Sequence, residues 1–178
     1  MKLKASIMDE AQLERSMARI GHEIIEKNNG AEGICLLGIK RRGIPLAEML
    51  KANIRKFEGI EVPMGHIDIS LYRDDLSELG DMPRTSDCLI PVDLKDYKVV
   101  LVDDVLYTGR TCRAAIDAVF QHGRPKAIQF AVLIDRGHRE LPIRPDYVGK
   151  NIPTSRNEMV SVLVEPIDGR FGAELYEI

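Results

Sequence analysis

Cysteine and histidine are scarce in this chain: of its 178 residues, three are cysteine and four are histidine. Cys35, Cys88 and Cys112 lie far apart, form no C-x-x-C pair and belong to no Cys/His ligand cluster. That pattern argues against a disulfide framework and against a zinc site of the usual spacing. The three read as reduced thiols of a cytoplasmic protein, and Cys35, inside an apolar run, as a core residue. His22, His66, His122 and His138 make no H-E-x-x-H pattern, so no protein-ligated metal is expected. No apolar run approaches the ~20 residues that span a bilayer, so no membrane partner is expected. Residues 1–10 lack a long apolar stretch, and no secretory signal is expected there. Two common phosphate-binding signatures are missing as well, G-x-x-x-x-G-K-[ST] and G-x-G-x-x-G. Nor is there a surplus of positive charge. Lys and Arg total 25 against 28 Asp and Glu, a net charge of −3, which excludes a basic coat but leaves room for a local basic patch.

What is present is the mix of an ordinary globule, 44% hydrophobic and 30% charged, with a length that suggests one domain, 1–178, around a real core. Asp9 is a plausible N-cap for a helix to about Asn28, with Leu13, Met17, Ile20 and Ile24 as its buried stripe. Arg15, Arg19 and His22 form a separate basic face. Residues 34–39 read as a buried strand, Lys40-Arg41-Arg42-Gly43 as a loop, and a helix with Pro45 in its first turn runs to about Asn53. Residues 66–71 read as a strand. Residues 72–88 have no periodicity and read as a lid-like arm. A strand over 99–102, a helix over 112–121 closed by Gly123, and a strand over 127–134 follow. A polar loop spans 135–145, and short strands are expected at 147–149, 159–164 and 173–178. Alternation of this kind predicts an α/β fold with a mostly parallel central sheet flanked by helices.

The most specific stretch is residues 99–111, Val-Val-Leu-Val-Asp-Asp-Val-Leu-Tyr-Thr-Gly-Arg-Thr. An apolar strand ends in two carboxylates, Asp103 and Asp104. A turn of hydroxyls and glycine, Thr108-Gly109-Arg110-Thr111, then opens a helix. Ligands of open α/β sheets bind beyond the carboxyl ends of strands, and phosphates favour helix N-termini and runs of backbone N–H groups. A sugar phosphate suits the layout: the turn takes the phosphate and the carboxylates accept from ribose hydroxyls. Two more loops can converge on it. Lys40, Arg41 and Arg42 offer three cations for a diphosphate, and Gly43 would allow close backbone approach to a ligand. Asp135-Arg136-Gly137-His138-Arg139 could face a base or a diphosphate.

Residues 99–111 resemble the 5-phosphoribosyl-1-pyrophosphate (PRPP) signature of type I phosphoribosyltransferases, in the form carried by the bifunctional pyrimidine operon attenuation regulators. Residues 67–76 and 135–155 resemble the same family, so that the likeness covers nearly the whole chain. The family's Lys-Thr-Arg-Gly is here Lys40-Arg41-Arg42-Gly43, and Ala18 stands where the family implies Thr.

The resemblance implies the type I phosphoribosyltransferase fold, with a flexible arm over the active site and a strained or cis non-proline peptide next to Lys40. It implies conversion of uracil and PRPP to UMP and diphosphate, with Mg²⁺ held mainly through substrate. Asp103, Asp104 and Arg42 are then the catalytic candidates. PRPP and nucleotide would meet Lys40, Arg41, Arg42, Asp103, Asp104, Tyr107, Thr108, Gly109, Arg110 and Thr111. The base would meet Arg136 and the backbone near Val160. The family also implies binding of pyrimidine operon leader mRNA under control of UMP or UTP, and a homodimer or higher homo-oligomer. RNA-facing candidates are Arg15, Arg19, His22, Arg139, Arg144, Lys150, Thr154 and Arg156. The alternative is a phosphoribosyltransferase without RNA regulation, acting on a purine base; a third is a regulator that only senses UMP.

Overall fold

In the computed structural model, residues 1–72 and 87–178 are described. Eight strands and four α-helices alternate among them: β1 (Lys2–Met8), α1 (Glu10–Lys27), β2 (Ile34–Ile39), α2 (Gly43–Glu58), β3 (Met64–Ile67), β4 (Lys98–Leu106), α3 (Arg110–His122), β5 (Ala127–Asp135), β6 (Tyr147–Asn151), β7 (Glu158–Leu163), α4 (Glu165–Asp168) and β8 (Gly172–Glu177). Five strands form a parallel sheet in the order β3-β2-β4-β5-β6. β1, β8 and β7 form a separate antiparallel sheet.

Both faces of the parallel sheet are covered, as its continuous apolar strands require. Alternation along β2 and β4 sends Leu36, Val100 and Val102 into a core shared with α1 and α2. Cys35, Leu37, Val99 and Leu101 go into a second core shared with Ala115, Ala118 and Val119 of α3. α1 starts as its sequence suggests. Asp9 accepts from Gln12 N–H at 2.8 Å, and the Gln12 side chain accepts from Asp9 N–H at 2.9 Å, a complete capping box.

Several boundaries differ from the sequence reading. α2 continues past Asn53 to Glu58, because Ile54 extends the buried stripe of Leu46 and Leu50, and left-handed Gly59 closes it. β3 stops at Ile67 rather than Leu71: the Asp68 carboxylate accepts from Ser70 N–H at 3.0 Å and turns the chain. β4 runs to Leu106, so Asp103 and Asp104 lie within the strand and not just beyond it. The ladder with β5 holds them there, pairing Asp103 with Val132 and Leu106 with Asp135. β1 and α4 had no sequence signal. Only Ile7 and Met8 of β1 are buried, so it shows no alternation, and α4 is a single four-residue turn. The arm expected over 72–88 falls almost wholly on 73–86, outside the described residues.

Candidate active site at the carboxyl ends of β2, β4 and β5

The acidic pair sits in the last turns of β4. Asp103 is buried and Asp104 half-buried; Asp103 Oδ1 accepts from Asp104 N–H at 2.9 Å, and Asp104 Oδ1 accepts from Val105 N–H at 2.8 Å. Loss of water and the neighbouring Asp104 charge push the Asp103 carboxyl well above the ordinary range. Burial also raises Asp104, opposed by hydrogen bonds from Asp103 and the Val105 backbone and by the charge of Arg42. Two adjacent, poorly solvated carboxylates attract hydroxyl donors or a hard cation. Among the described residues, no group of three or more His, Cys, Asp or Glu side chains gathers into a metal cluster.

The cationic loop follows β2. The Lys40–Arg41 peptide bond is cis, at the position where the resemblance implies one. Lys40 Nζ pairs with Asp87 at 2.7 Å, Arg41 is exposed, and Arg42 Nη2 donates to Asp168 Oδ1 at 2.9 Å. Gly43 has a different use from the one its sequence suggested. An ideal Cβ there would lie 2.2 Å from the Val102 carbonyl oxygen, so the glycine lets α2 begin against β4 itself.

The turn after β4 leads into α3 through Gly109, which is left-handed at φ 95°. The Thr108 hydroxyl accepts from Arg110 N–H at 3.3 Å, a geometry that keeps the turn's backbone in a concave run. The loop after β5 clamps this turn. Glu140 N–H donates to Thr108 O at 2.9 Å, Arg139 Nη1 donates to Tyr107 O at 2.8 Å, and Arg110 pairs with Glu140 at 2.7 Å.

Arg136, read as a base contact, is buried. It donates to Thr154 Oγ1, Ser155 O and Glu158 O at 3.2, 3.1 and 2.7 Å, and its guanidinium lies 4.0 Å from the centroid of the exposed Tyr107 ring. It thus joins the end of β5 to the start of β7. Val160 is buried in β7, its neighbour along the chain from that junction. His138, φ 61°, approaches Tyr107 edge-on at 5.9 Å and bonds Thr154 O through Nε2 at 2.6 Å.

The residues read as RNA-facing separate into groups. Arg15, Arg19 and Lys150 line a shallow cavity of about 350 Å³ between α1 and β6, with Gln12, Ser16 and Gly149. Arg19 also bonds Val148 O and Gly149 O, and Lys150 bonds Ile7 O. His22 stacks on Phe57 of α2, with ring centroids 3.7 Å apart. Arg144 and Arg156 are exposed. Arg139 and Thr154 are engaged within the protein: Arg139 holds Ile143 O, Tyr107 O and Asp135, and Thr154 exchanges hydrogen bonds with Arg136. Sequence reasoning missed Asp87, Glu140 and Asp168. Each is an ordinary acid in a polar stretch, with no local signal of its distant partner.

The acidic pair of β4, the glycine turn after it and the cationic loop after β2 stand on neighbouring elements of one parallel sheet, and the comparisons show which family has this fold. The family model for the phosphoribosyl transferase domain matches residues 5–165. The fold resembles the hypoxanthine phosphoribosyltransferase of Trypanosoma cruzi, with TM-score 0.75 and 18% identity over 98% of this chain and 97% of that one. It also resembles a hypoxanthine phosphoribosyltransferase of Staphylococcus aureus, with TM-score 0.71 and 17% identity over 99% and 93%. The chain belongs to the phosphoribosyltransferase family, with the type I fold, and within it to the group of bifunctional PyrR proteins. It is 61% identical over 178 residues, all of both chains, to the "Bifunctional protein PyrR" of Clostridium kluyveri. It is 56% identical over 177 residues, 99% of this chain and 98% of the relative, to the protein of that name from Thermus thermophilus.

Proposed function

We propose that the chain is a single catalytic domain that transfers the phosphoribosyl group of PRPP to uracil, giving UMP and diphosphate, and that it regulates pyrimidine biosynthesis mRNA under control of uridine nucleotides. The observation that carries the enzymatic half is the meeting of three elements: the Asp103–Asp104 pair withdrawn from water, the Gly109 turn that opens α3, and the Lys40–Arg42 loop, whose Gly43 end packs on the β4 backbone at Val102 and Asp103.

Breaking the C1–diphosphate bond builds positive charge on the ribose ring, so the protein's work is positioning and electrostatics. Asp103 and Asp104 accept from the ribose hydroxyls, and their negative charge faces the cationic ring. The backbone and hydroxyls of Thr108–Thr111 receive the 5′-phosphate. Lys40, Arg41 and Arg42 neutralise the departing diphosphate. Arg136, Tyr107 and the backbone near Val160 frame the base. The carboxylate pair offers the hard oxygens that Mg²⁺ prefers; Asp103 and Asp104 would help to hold the ion, which would bind mainly through substrate and would supply charge neutralisation at the diphosphate.

For the regulatory half, Arg15, Arg19, His22 and Lys150 on one side and Arg144 and Arg156 on the other are the RNA-facing groups. A homodimer or higher homo-oligomer in the cytoplasm completes the reading; among the described residues no helix is long and apolar enough to cross a membrane. The test of the enzymatic half is product formation from PRPP with radiolabelled uracil, hypoxanthine or guanine. UMP from uracil alone is expected. Preference for a purine, or no product from any base, overturns it.

A further inference from the structure

Among the described residues, Asp168 is the partner of the cationic loop that comes from the small sheet's side of the molecule. Its carboxylate is fixed before any substrate arrives. Oδ2 accepts from Val164 N–H at 2.9 Å, while the Asp168 backbone N–H donates to Val164 O at 2.7 Å. Oδ1 is left to receive Arg42 Nη2 at 2.9 Å, across a sequence separation of 126. The pair is partly buried, with 33% of the Arg42 side chain and 18% of the Asp168 side chain exposed. A charge-assisted bond in such a place is stronger than one on an open surface.

Gly43, next to Arg42, packs on the β4 backbone at Val102 and Asp103, which brings the start of α2 against the strand that carries a second acid, Asp104, whose carboxyl the Arg42 charge lowers. The two acids therefore compete for one guanidinium. An Arg42 that settled on Asp104 would withdraw that carboxylate from the ribose and itself from the diphosphate. Asp168, anchored by its own backbone, draws the guanidinium the other way.

Resting on the activity proposed above, we propose that Asp168 is a positioning residue: it holds Arg42 toward the diphosphate of PRPP and away from an ion pair with Asp104. It touches neither substrate nor reacting atoms; it acts through Arg42.

The test uses the full chain with Asp168→Asn, Arg42→Ala and the double variant. Asparagine keeps the side chain's size and an oxygen for Val164 N–H, and removes the charge. The readouts are kcat and KM for PRPP with uracil, diphosphate affinity by calorimetry, and the melting temperature. Loss of a charge-assisted bond predicts a rise of about tenfold in the KM for PRPP in Asp168→Asn, a matching loss of diphosphate affinity, and little change in melting temperature. Because Asp168 acts through Arg42, the double variant is no worse than Arg42→Ala alone. An unchanged KM and diphosphate affinity in Asp168→Asn overturns the proposal, and so does a double variant whose losses multiply. A lowered melting temperature with unchanged KM assigns Asp168 a purely structural role, which also overturns it. If the wild type makes no nucleotide, the functional reading fails, and diphosphate affinity still decides the role of Asp168.

Discussion

Gly43 and Val102 are in backbone contact: a Cβ on Gly43 would stand 2.2 Å from the Val102 carbonyl oxygen and 3.4 Å from the Asp103 Cα. The obstacle is strand backbone, which has no rotamer to change. This contact sets the spacing between the cationic loop and the acidic pair. Gly43→Ala is expected to push the loop off β4, at a cost of about 2 kcal/mol or more, which is roughly a 5 °C or larger drop in melting temperature. Affinity for PRPP should fall with it. A variant with wild-type melting and wild-type KM for PRPP would show that the contact sets nothing.

In the proposed mechanism Asp104 faces the positive charge that develops on the ribose ring. Asp104→Asn keeps the shape and removes the charge, so turnover should fall by more than about tenfold, with the fold intact by circular dichroism. Near-normal turnover would remove Asp104 from the mechanism.

Asp103 offers a test of stability. Its carboxyl is pushed well above its unfolded value by burial and by Asp104. The native state therefore keeps this proton more tightly than the unfolded chain does. Above about pH 4, where an unfolded Asp ionises, stability falls as pH rises toward the folded-state value. Asp103→Asn lacks this penalty. Its melting temperature should match the wild type near pH 4 and exceed it increasingly toward pH 7, while turnover falls. Parallel melting curves across that range would contradict the desolvated pair.

The acidic motif was legible because its information is local: apolar strand, two carboxylates, turn glycine and helix follow one another in 13 adjacent positions of the sequence. The extent of β4 was not. Asp is a poor strand residue, and only the ladder with β5 carries the strand through Asp103 to Leu106. The sequence suggested three loops that could converge, but the residues that fix them were out of reach. Arg42 meets Asp168 across 126 positions, and Arg139 meets Tyr107 across 32. Nothing in either neighbourhood marks the partner. The same limit explains Arg139 and Thr154, whose polar side chains in a charged segment suggested an outward role, whereas both hold loops together.

Arg136 is the buried hinge of that arrangement. Its removal takes the guanidinium donor from the carbonyls of Ser155 and Glu158 and leaves Tyr107 without its cation. Arg136→Met, which keeps apolar bulk, should cost about 2 kcal/mol or more. It should also raise the KM for uracil more than the KM for PRPP, because the side chain joins the start of β7 and not the cationic loop. Equal rises in both would move Arg136 from the base end to general support of the site.

RNA binding separates two arginines only a few residues apart. Arg144 is exposed. Arg139 bonds Ile143 O, Tyr107 O and Asp135, and so supports the turn proposed to take the 5′-phosphate. Arg144→Ala should weaken binding of a pyrimidine-operon leader RNA by about tenfold and leave UMP synthesis unchanged. Arg139→Ala should lower both RNA affinity and turnover, together with the melting temperature. With Arg15, Arg19, Lys150 and Arg144 proposed to contact phosphates, wild-type affinity should fall steeply with salt, by a slope of roughly 0.7 per phosphate contact for single-stranded RNA. Arg144→Ala should reduce that slope by about one contact. UMP should tighten RNA binding, and by linkage RNA should tighten UMP binding by the same factor. Filter binding at several salt concentrations, with and without UMP, measures all of this. If Arg144→Ala binds the leader as tightly as the wild type, or UMP leaves the affinity unchanged, the regulatory half of the function fails, while the phosphoribosyl transfer site stands on its own assay.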